Sequence, residues 1–328
     1  MTRIAINGFG RIGRLTFRNL INQKNVNIVA INDLTDNATL AHLLKYDSTH
    51  GRFDGDTHLE GDVLTVNGDA INLYAERDPK NLPWADLNVD VVLECTGIFT
   101  SEDEASWHLE AGAKKVVLSA PSKGGDIKTI VIGVNDEEIS DDIKIYSNAS
   151  CTTNCFAPMV KLIDQKWGIK QGTMTTIHGY TADQKLQDAP HKDLRRSRAA
   201  AINIVPTSTG AAKATAIVYP PLGTKVEAMA VRVPVVTGSL VDFTAFLDKE
   251  ATVEEVNTLF KEASQGAFKG VIEYCEDPVV STDIVGNKHS NIFDSLLTKS
   301  QGNMISVVGW YDNEAGYSAR LAQLALMI

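Results

Sequence analysis

Gly8-Phe9-Gly10-Arg11-Ile12-Gly13 follows directly on the short apolar run Arg3-Ile4-Ala5-Ile6-Asn7. It opens a segment in which Leu15, Phe17, Leu20 and Ile21 recur with helical spacing. A strand, three glycines at this spacing and a helix make a particular turn. The first glycine allows the tight bend, the second lets the backbone approach a pyrophosphate, and the third lets strand and helix pack closely. The helix N-terminus then faces the anion with unpaired N–H groups. A second strand, residues 26–31, ends in Asn32-Asp33, about twenty residues past the last glycine, where an acid accepts ribose hydroxyls. A glycine-rich turn without a ligand is the alternative, and it leaves that acid unexplained. Gly8, Gly10, Gly13 and Asp33 therefore read as a dinucleotide site. A carboxylate at position 33 repels a 2′-phosphate, which favours NAD over NADP.

Further short strands recur at residues 70–74, 90–93 and 115–118, with helical stretches at 38–44 and 101–111 between them. That alternation predicts a doubly wound α/β sheet. Thr96-Gly97 and Ser119-Ala120 follow two of these strands, at the carboxyl edge where open parallel sheets bind cofactors, and are expected on the nicotinamide side. At 328 residues the chain exceeds what one core usually organises, so two domains are expected. Hydrophobic residues at 44% and charged residues at 22% exclude disorder, and no apolar run approaches the ~20 residues of a membrane span. The first residues enter a strand without the pattern of a signal peptide, and the four cysteines are too few for a disulfide framework, so a reducing, cytoplasmic setting is expected. A net charge of -10 argues against nonspecific attraction to nucleic acid or anionic membranes. Phosphorylated ligands would need local cationic groups.

The second half carries a different chemistry. Ala149-Ser150-Cys151-Thr152-Thr153-Asn154-Cys155 lies where a strand, residues 144–147, hands over to a helix whose apolar face is Phe156, Val160, Ile163 and Trp167. A thiol at a helix N-terminus meets the macrodipole and unpaired N–H groups, which favour the thiolate. Cys151 reads as a reactive cysteine, with a buried structural thiol as the alternative. Cys155 is one turn further on the same face, where a packed, inert thiol is expected rather than a redox partner. The β-branched run at 173–177 ends in His178-Gly179, so His178 can project into a cleft and, as imidazolium, hold a thiolate as an ion pair. The other histidines, His42, His50, His58, His108, His191 and His289, read as structural or surface residues. His and Cys are too scattered to suggest a metal site.

Three further segments invite anions. The basic cluster Lys192 to Arg198 lacks the interleaved aromatics of a nucleic-acid platform, so a loop that binds phosphate or another subunit is expected. Thr207-Ser208-Thr209-Gly210 precedes an apparent helix start at Ala211. Arg232 lies in a strand at 228–233, where an edge ion pair is the alternative use.

Taken in order, the glycine fingerprint, Asn32-Asp33, Ser150-Cys151-Thr152-Thr153-Asn154, His178, the 207–210 turn and Trp310-Tyr311-Asp312-Asn313-Glu314 make the chain closely resemble the phosphorylating glyceraldehyde-3-phosphate dehydrogenase family. The resemblance runs nearly end to end. It implies a Rossmann-type NAD domain over residues 1–149, completed by a C-terminal helix at 315–328, and a catalytic α+β domain with a mostly antiparallel sheet over 150–314. It also implies a homotetramer in which a long loop, roughly residues 180–202, lies at a subunit interface. By position, Cys151 is the nucleophile and His178 its base. Thr181, Asp183, Arg196 and Arg232 would hold the C3 phosphate of glyceraldehyde 3-phosphate, and Ser150, Thr152, Thr209 and Gly210 the inorganic phosphate. Arg11, Ile12, Asn32, Asp33, Arg77, Thr96, Ser119 and Asn313 would contact NAD, with Tyr317 near the nicotinamide. Ala189-Pro190 stands where several NAD-dependent members carry leucine before the proline, so relaxed cofactor choice stays open. Other readings are an erythrose-4-phosphate dehydrogenase, which releases an acid by hydrolysis; a semialdehyde dehydrogenase, which would not need the substrate-phosphate cluster; and a noncatalytic RNA-binding or adhesive role.

Overall fold

The computed structural model describes residues 1–328, which divide into two compact units. The first comprises residues 1–130, 137–149 and 318–328, and the second residues 131–136 and 150–317. The short segment 131–136 thus belongs with the second unit. There Lys161 Nζ donates to the carbonyls of Gly133 and Val134 at 3.1 and 2.8 Å.

The first unit runs β1 (Thr2–Asn7), α1 (Arg11–Leu20), β2 (Val26–Asn32), α2 (Asn37–Lys45), β3 (Thr57–Glu60), β4 (Val63–Val66), β5 (Asp69–Tyr74), β6 (Val91–Glu94), α3 (Glu102–Glu110), β7 (Lys115–Leu118), β8 (Lys128–Thr129) and β9 (Ile145–Ser147). Its sheet has the order β3-β4-β5-β2-β1-β6-β7-β9-β8. From β5 across to β8 every pairing is parallel, and only the hairpin strands β3 and β4 are antiparallel. This is the expected doubly wound sheet. The central strands are mostly apolar and buried, as in Val91-Val92-Leu93 of β6, because both faces of a parallel sheet are covered. Strand order reverses between β2 and β6 on either side of β1, so the carboxyl ends of β1 and β6 flank the switch point where such sheets bind ligands.

The second unit contains α4 (Cys151–Trp167), β10 (Ile169–Gly179), β11 (Val205–Ser208), α5 (Ala211–Val218), β12 (Val226–Val233), β13 (Ser239–Leu247), α6 (Val253–Gln265), β14 (Ile272–Cys275), β15 (Asn291–Gln301), β16 (Met304–Tyr311) and the start of α7 (Ala315–Met327), whose residues from Ser318 onward group with the first unit. Its sheet, β11-β12-β10-β13-β16-β15-β14, is mostly antiparallel, with parallel pairs only at β10·β12 and β14·β15. Strand β13 alternates: Val241, Phe243, Ala245 and Leu247 are buried while the residues between them are more open. The buried face carries α4, whose Phe156 meets Phe243 edge-on at 4.9 Å between ring centroids. Burying aromatics of this size is worth roughly 1.5–3 kcal/mol each.

Candidate active site

Local geometry fixes where Cys151 stands. Strand β9 ends at Ser147, and Ala149 then adopts φ +54°, a left-handed conformation that costs a non-glycine residue roughly 1–2 kcal/mol. Ser150 caps α4, its hydroxyl accepting the Thr153 N–H at 3.1 Å. Cys151 is therefore the first residue of a 17-residue helix. The N–H groups of Cys151 and Thr152 have no partner within the helix by position, and both approach the sulfur.

The partner comes from the sheet. His178 is the second-last residue of β10, and its Nε2 lies 3.4 Å from Cys151 Sγ. The parallel register of β10 and β12 places Arg232 directly beside His178, with its Nη1 2.7 Å from His178 Nδ1. The Gly179 carbonyl is 2.6 Å from the same nitrogen. When Nδ1 carries the hydrogen, both it and Arg232 Nη1, at 3.0 Å, donate to the Gly179 carbonyl, and Nε2 presents its lone pair to the thiol. Tyr311 closes the floor. Its hydroxyl bonds Thr152 Oγ1 at 2.9 Å and Thr176 Oγ1 at 2.8 Å, and its ring meets His178 edge-on.

The electrostatics correct one expectation. The sequence set a thiolate against an imidazolium, but the pocket by itself favours the neutral pair. Burial pushes the Cys151 thiol up, against the pull of the Arg232 charge, the Thr152 hydroxyl and the helix-start amides. Burial, and then the Arg232 charge, take His178 from 6.5 down to about 3. Helix position favours an anion only where water or partners also solvate it, and here desolvation outweighs it.

The anion-binding candidates fall into two sets. Arg232 is largely buried and its Nε has no hydrogen-bond partner within the chain, which leaves a charged donor for a ligand. Arg196 donates to Asp183 Oδ2 at 2.8 Å and to Thr207 Oγ1 at 3.0 Å, so two of the predicted substrate residues are joined. Thr181 is half-buried two residues before Asp183. Thr209 and Gly210 precede α5, where Gly210 offers no side-chain cap and the Thr209 hydroxyl accepts the Ala211 N–H at 3.2 Å. His191, read from sequence as structural, sits 3.2 Å from Asp183 Oδ1. Tyr311 was likewise not singled out alone, although it lies inside the quoted 310–314 motif.

In the first unit a cavity of about 510 Å³ is lined by Gly8, Gly10, Asn32, Asp33, Arg77 and Thr96, all predicted cofactor residues. Its walls also include Leu34, Glu76, Ile98 and Phe99. The glycines divide by role. A Cβ on Gly13 would lie 2.2 Å from the Gly8 carbonyl oxygen, so Gly13 serves helix packing, whereas a Cβ on Gly10 would meet nothing within 4 Å and would project into open space. Helix α1 starts at Arg11 with no side-chain cap, so its N-terminus is a place for an anionic ligand group. The Arg11 side chain itself turns to Asp47 and His50. Asp33 accepts the Phe9 N–H at 2.7 Å and the Thr35 N–H at 2.9 Å, which aims its carboxylate. Ser119 stands one strand away beside Cys95, a cavity residue. Asn313 and Tyr317 belong to the second unit. There Thr237 and Ser239 both donate to Asn313 Oδ1, at 3.2 and 2.8 Å, leaving its Nδ2 as the donor end.

Comparison with known proteins agrees with this anatomy. Residues 2–102 match the family model for the NAD binding domain of glyceraldehyde 3-phosphate dehydrogenase, and residues 150–313 match the model for its C-terminal domain. The chain is 55% identical over 334 residues to the glyceraldehyde-3-phosphate dehydrogenase of Mycolicibacterium smegmatis, an alignment that covers 99% of this chain and 98% of the relative. It is 54% identical to the enzyme of that name from Priestia megaterium and 53% identical to that from Geobacillus stearothermophilus, each over 328 residues with the same coverage. On these matches, the chain belongs to the glyceraldehyde-3-phosphate dehydrogenase family.

Proposed function

We propose that this NAD-dependent oxidoreductase oxidises glyceraldehyde 3-phosphate and captures the product as 1,3-bisphosphoglycerate, with Cys151 as nucleophile, His178 as base and the buried cation Arg232 as the anion anchor. The observation that carries the reading is a thiol at a helix start 3.4 Å from an imidazole, beside a buried guanidinium nitrogen with no partner.

Each group has a physical task. His178 Nε2 takes the thiol proton as Sγ bonds to the aldehyde carbon. The oxygen of the resulting hemithioacetal is stabilised by the amides at the start of α4 and is protonated from the imidazolium. His178 removes that proton again as the hydride leaves, and the carbon becomes a thioester on Cys151. NAD, when bound, supplies the hydride acceptor. Phosphate oxygen then attacks the thioester carbon, the carbon–sulfur bond breaks, and the acyl phosphate departs. A phosphate against Arg232 also offsets the charge that helps to hold His178 at about 3, so substrate binding raises the base toward its working range.

The remaining assignments follow the same reading. Thr181, Asp183 and Arg196 join Arg232 at the C3 phosphate; Ser150, Thr152, Thr209 and Gly210 hold inorganic phosphate. The cavity fits NAD through its open space at Gly10, the uncapped N-terminus of α1 and the Asp33 carboxylate. We also propose a homotetramer working in the cytoplasm. Support for assembly comes from the 180–202 loop, where Leu186 is 82%, Leu194 80% and Ile202 80% exposed. Large aliphatic side chains grouped in this way mark an interaction surface.

The test is NADH formation from glyceraldehyde 3-phosphate and NAD with and without inorganic phosphate or arsenate. Turnover that depends on the anion is the expected result. Sustained turnover without it would replace thioester phosphorolysis with hydrolysis, as in an erythrose-4-phosphate dehydrogenase.

A further inference from the structure

Beneath the dinucleotide cavity lie a carboxylate and an imidazole that the chemistry above does not use. Glu94 ends β6 and His108 stands on α3, and both side chains are completely buried. Trp84 Nε1, which can only donate, gives its hydrogen to His108 Nδ1 at 3.0 Å. The ring hydrogen is therefore on Nε2, which donates to Glu94 Oε2 at 3.0 Å. Asn7 Nδ2 donates to the same oxygen at 2.5 Å. The other oxygen, Oε1, receives the Thr96 N–H at 2.7 Å and the Thr96 hydroxyl. Four donors saturate the two oxygens.

The chain of bonds continues across the strand ends. Asn7 pairs in register with Glu94 on one side and Asn32 on the other. Asn32 Nδ2 donates to Asn7 Oδ1 at 2.7 Å, and Asn32 Oδ1 accepts the Glu76 N–H at 2.8 Å. The groups at the outlets of this chain, Thr96, Asn7, Asn32 and Glu76, all line the cavity, whereas Glu94, His108 and Trp84 do not. A carboxylate buried only to fill space would carry a desolvation cost that an apolar side chain of the same volume avoids. What this one adds is direction: it fixes the rotamers of residues at the carboxyl ends of β1, β2 and β6.

We propose that Glu94 and His108 are positioning residues for the cofactor, holding Thr96, Asn7 and Asn32 in the orientation that receives NAD. The inference rests on NAD occupying this cavity. Its test compares Glu94→Gln, His108→Leu and His108→Gln with the unmodified protein, by the dissociation constant for NAD together with KM and kcat. Glu94→Gln turns an acceptor into a donor that faces other donors, and His108→Leu removes one of the four donors. Each should raise the Kd for NAD about tenfold, equivalent to about 1.4 kcal/mol, with KM for NAD rising by a larger factor than kcat falls. His108→Gln keeps an N–H for Glu94 and a carbonyl for Trp84, and should restore most of the affinity. If Glu94→Gln does not fold, the two His108 variants decide by the same criteria. Affinity within about twofold of the unmodified protein in both disruptive variants while their melting temperatures fall, or equal loss in His108→Leu and His108→Gln, would overturn the proposal. An unmodified protein that binds no NAD would instead overturn the assignment of the cavity.

Discussion

At the dinucleotide cavity Asp33 receives two backbone amides and Glu94 four donors, so the polar groups are bonded and aimed by the protein itself. Around Cys151 the opposite holds. Arg232 buries a donor with no partner, His178 is driven down to about 3, and the thiol is pushed up by burial. The first region is arranged so that a cofactor finds fixed partners. On the proposed function, the second leaves a charged donor at Arg232 for an anionic substrate to fill, and stabilises it most where charge develops. One site is organised by saturation, the other by a deficit that the reactant fills.

That contrast breaks most readily at the sulfur. Cys151→Ser should lower kcat by more than about 10⁴-fold, since a hydroxyl in a pocket that already resists a thiolate is far harder to ionise. His178→Asn should lower kcat by a factor of about 10² to 10⁴, the range for a general acid–base group. Steady-state NADH formation measures both, and near-normal turnover in Cys151→Ser would end the covalent mechanism.

Arg232→Gln tests the deficit itself. Loss of the buried cation should raise KM for glyceraldehyde 3-phosphate about 10²-fold, in keeping with a charged hydrogen bond and its ion pair. For an aldehyde that lacks the phosphate KM should change far less, while any effect of the lost charge on His178 falls on kcat for both substrates alike. If KM for both substrates rises equally, Arg232 acts on folding or on His178 rather than on the anion.

The two sites also differed in how much the sequence disclosed. The glycine turn was legible because its constraints lie within a few residues and each glycine answers a local steric demand. Cys151 was legible for the same reason, as a strand-to-helix junction with a serine cap. What sequence could not show depends on distant pairing: Thr152 meets Tyr311 across 159 positions, and Asn7 meets Glu94 across 87. The transfer of residues 131–136 to the second unit was invisible for the same reason, whereas the β3–β4 hairpin pairs locally and was missed because its two four-residue strands carry too little pattern. His191 is the structural residue the sequence suggested, but its partner Asp183 is visible only in the fold of a loop with little regular structure. The thiolate expectation failed on burial, a property no local pattern reports.

Two glycines sharpen the comparison within the cavity. Gly13→Ala would put its Cβ 2.2 Å from the Gly8 carbonyl oxygen and should cost about 1–3 kcal/mol of stability in denaturant unfolding. Gly10→Ala meets nothing within 4 Å and should leave stability within about 0.5 kcal/mol while weakening NAD binding by occupying the space the ligand needs. Equal stability losses would mean that both glycines serve packing.

The deficit can also be tested through pH. His178 is held near 3 in the folded chain against 6.5 for the free group, so below pH 6.5 the unfolded chain binds a proton that the native one refuses. Stability is fully present above 6.5 and falls as pH is lowered, by up to about 1.4 kcal/mol per pH unit for this one group. Asp47, held low by its hydrogen bond from Arg11 against the cost of its burial, loses stability only below the ordinary carboxylate range, so a window from 6.5 down to about 4 separates the two. His178→Asn should flatten the slope of unfolding free energy in that window, whatever it does to the absolute stability. An unchanged slope would mean that the imidazole titrates normally, and the contrast between a saturated cofactor site and a charge-deficient reaction pocket would lose its second term.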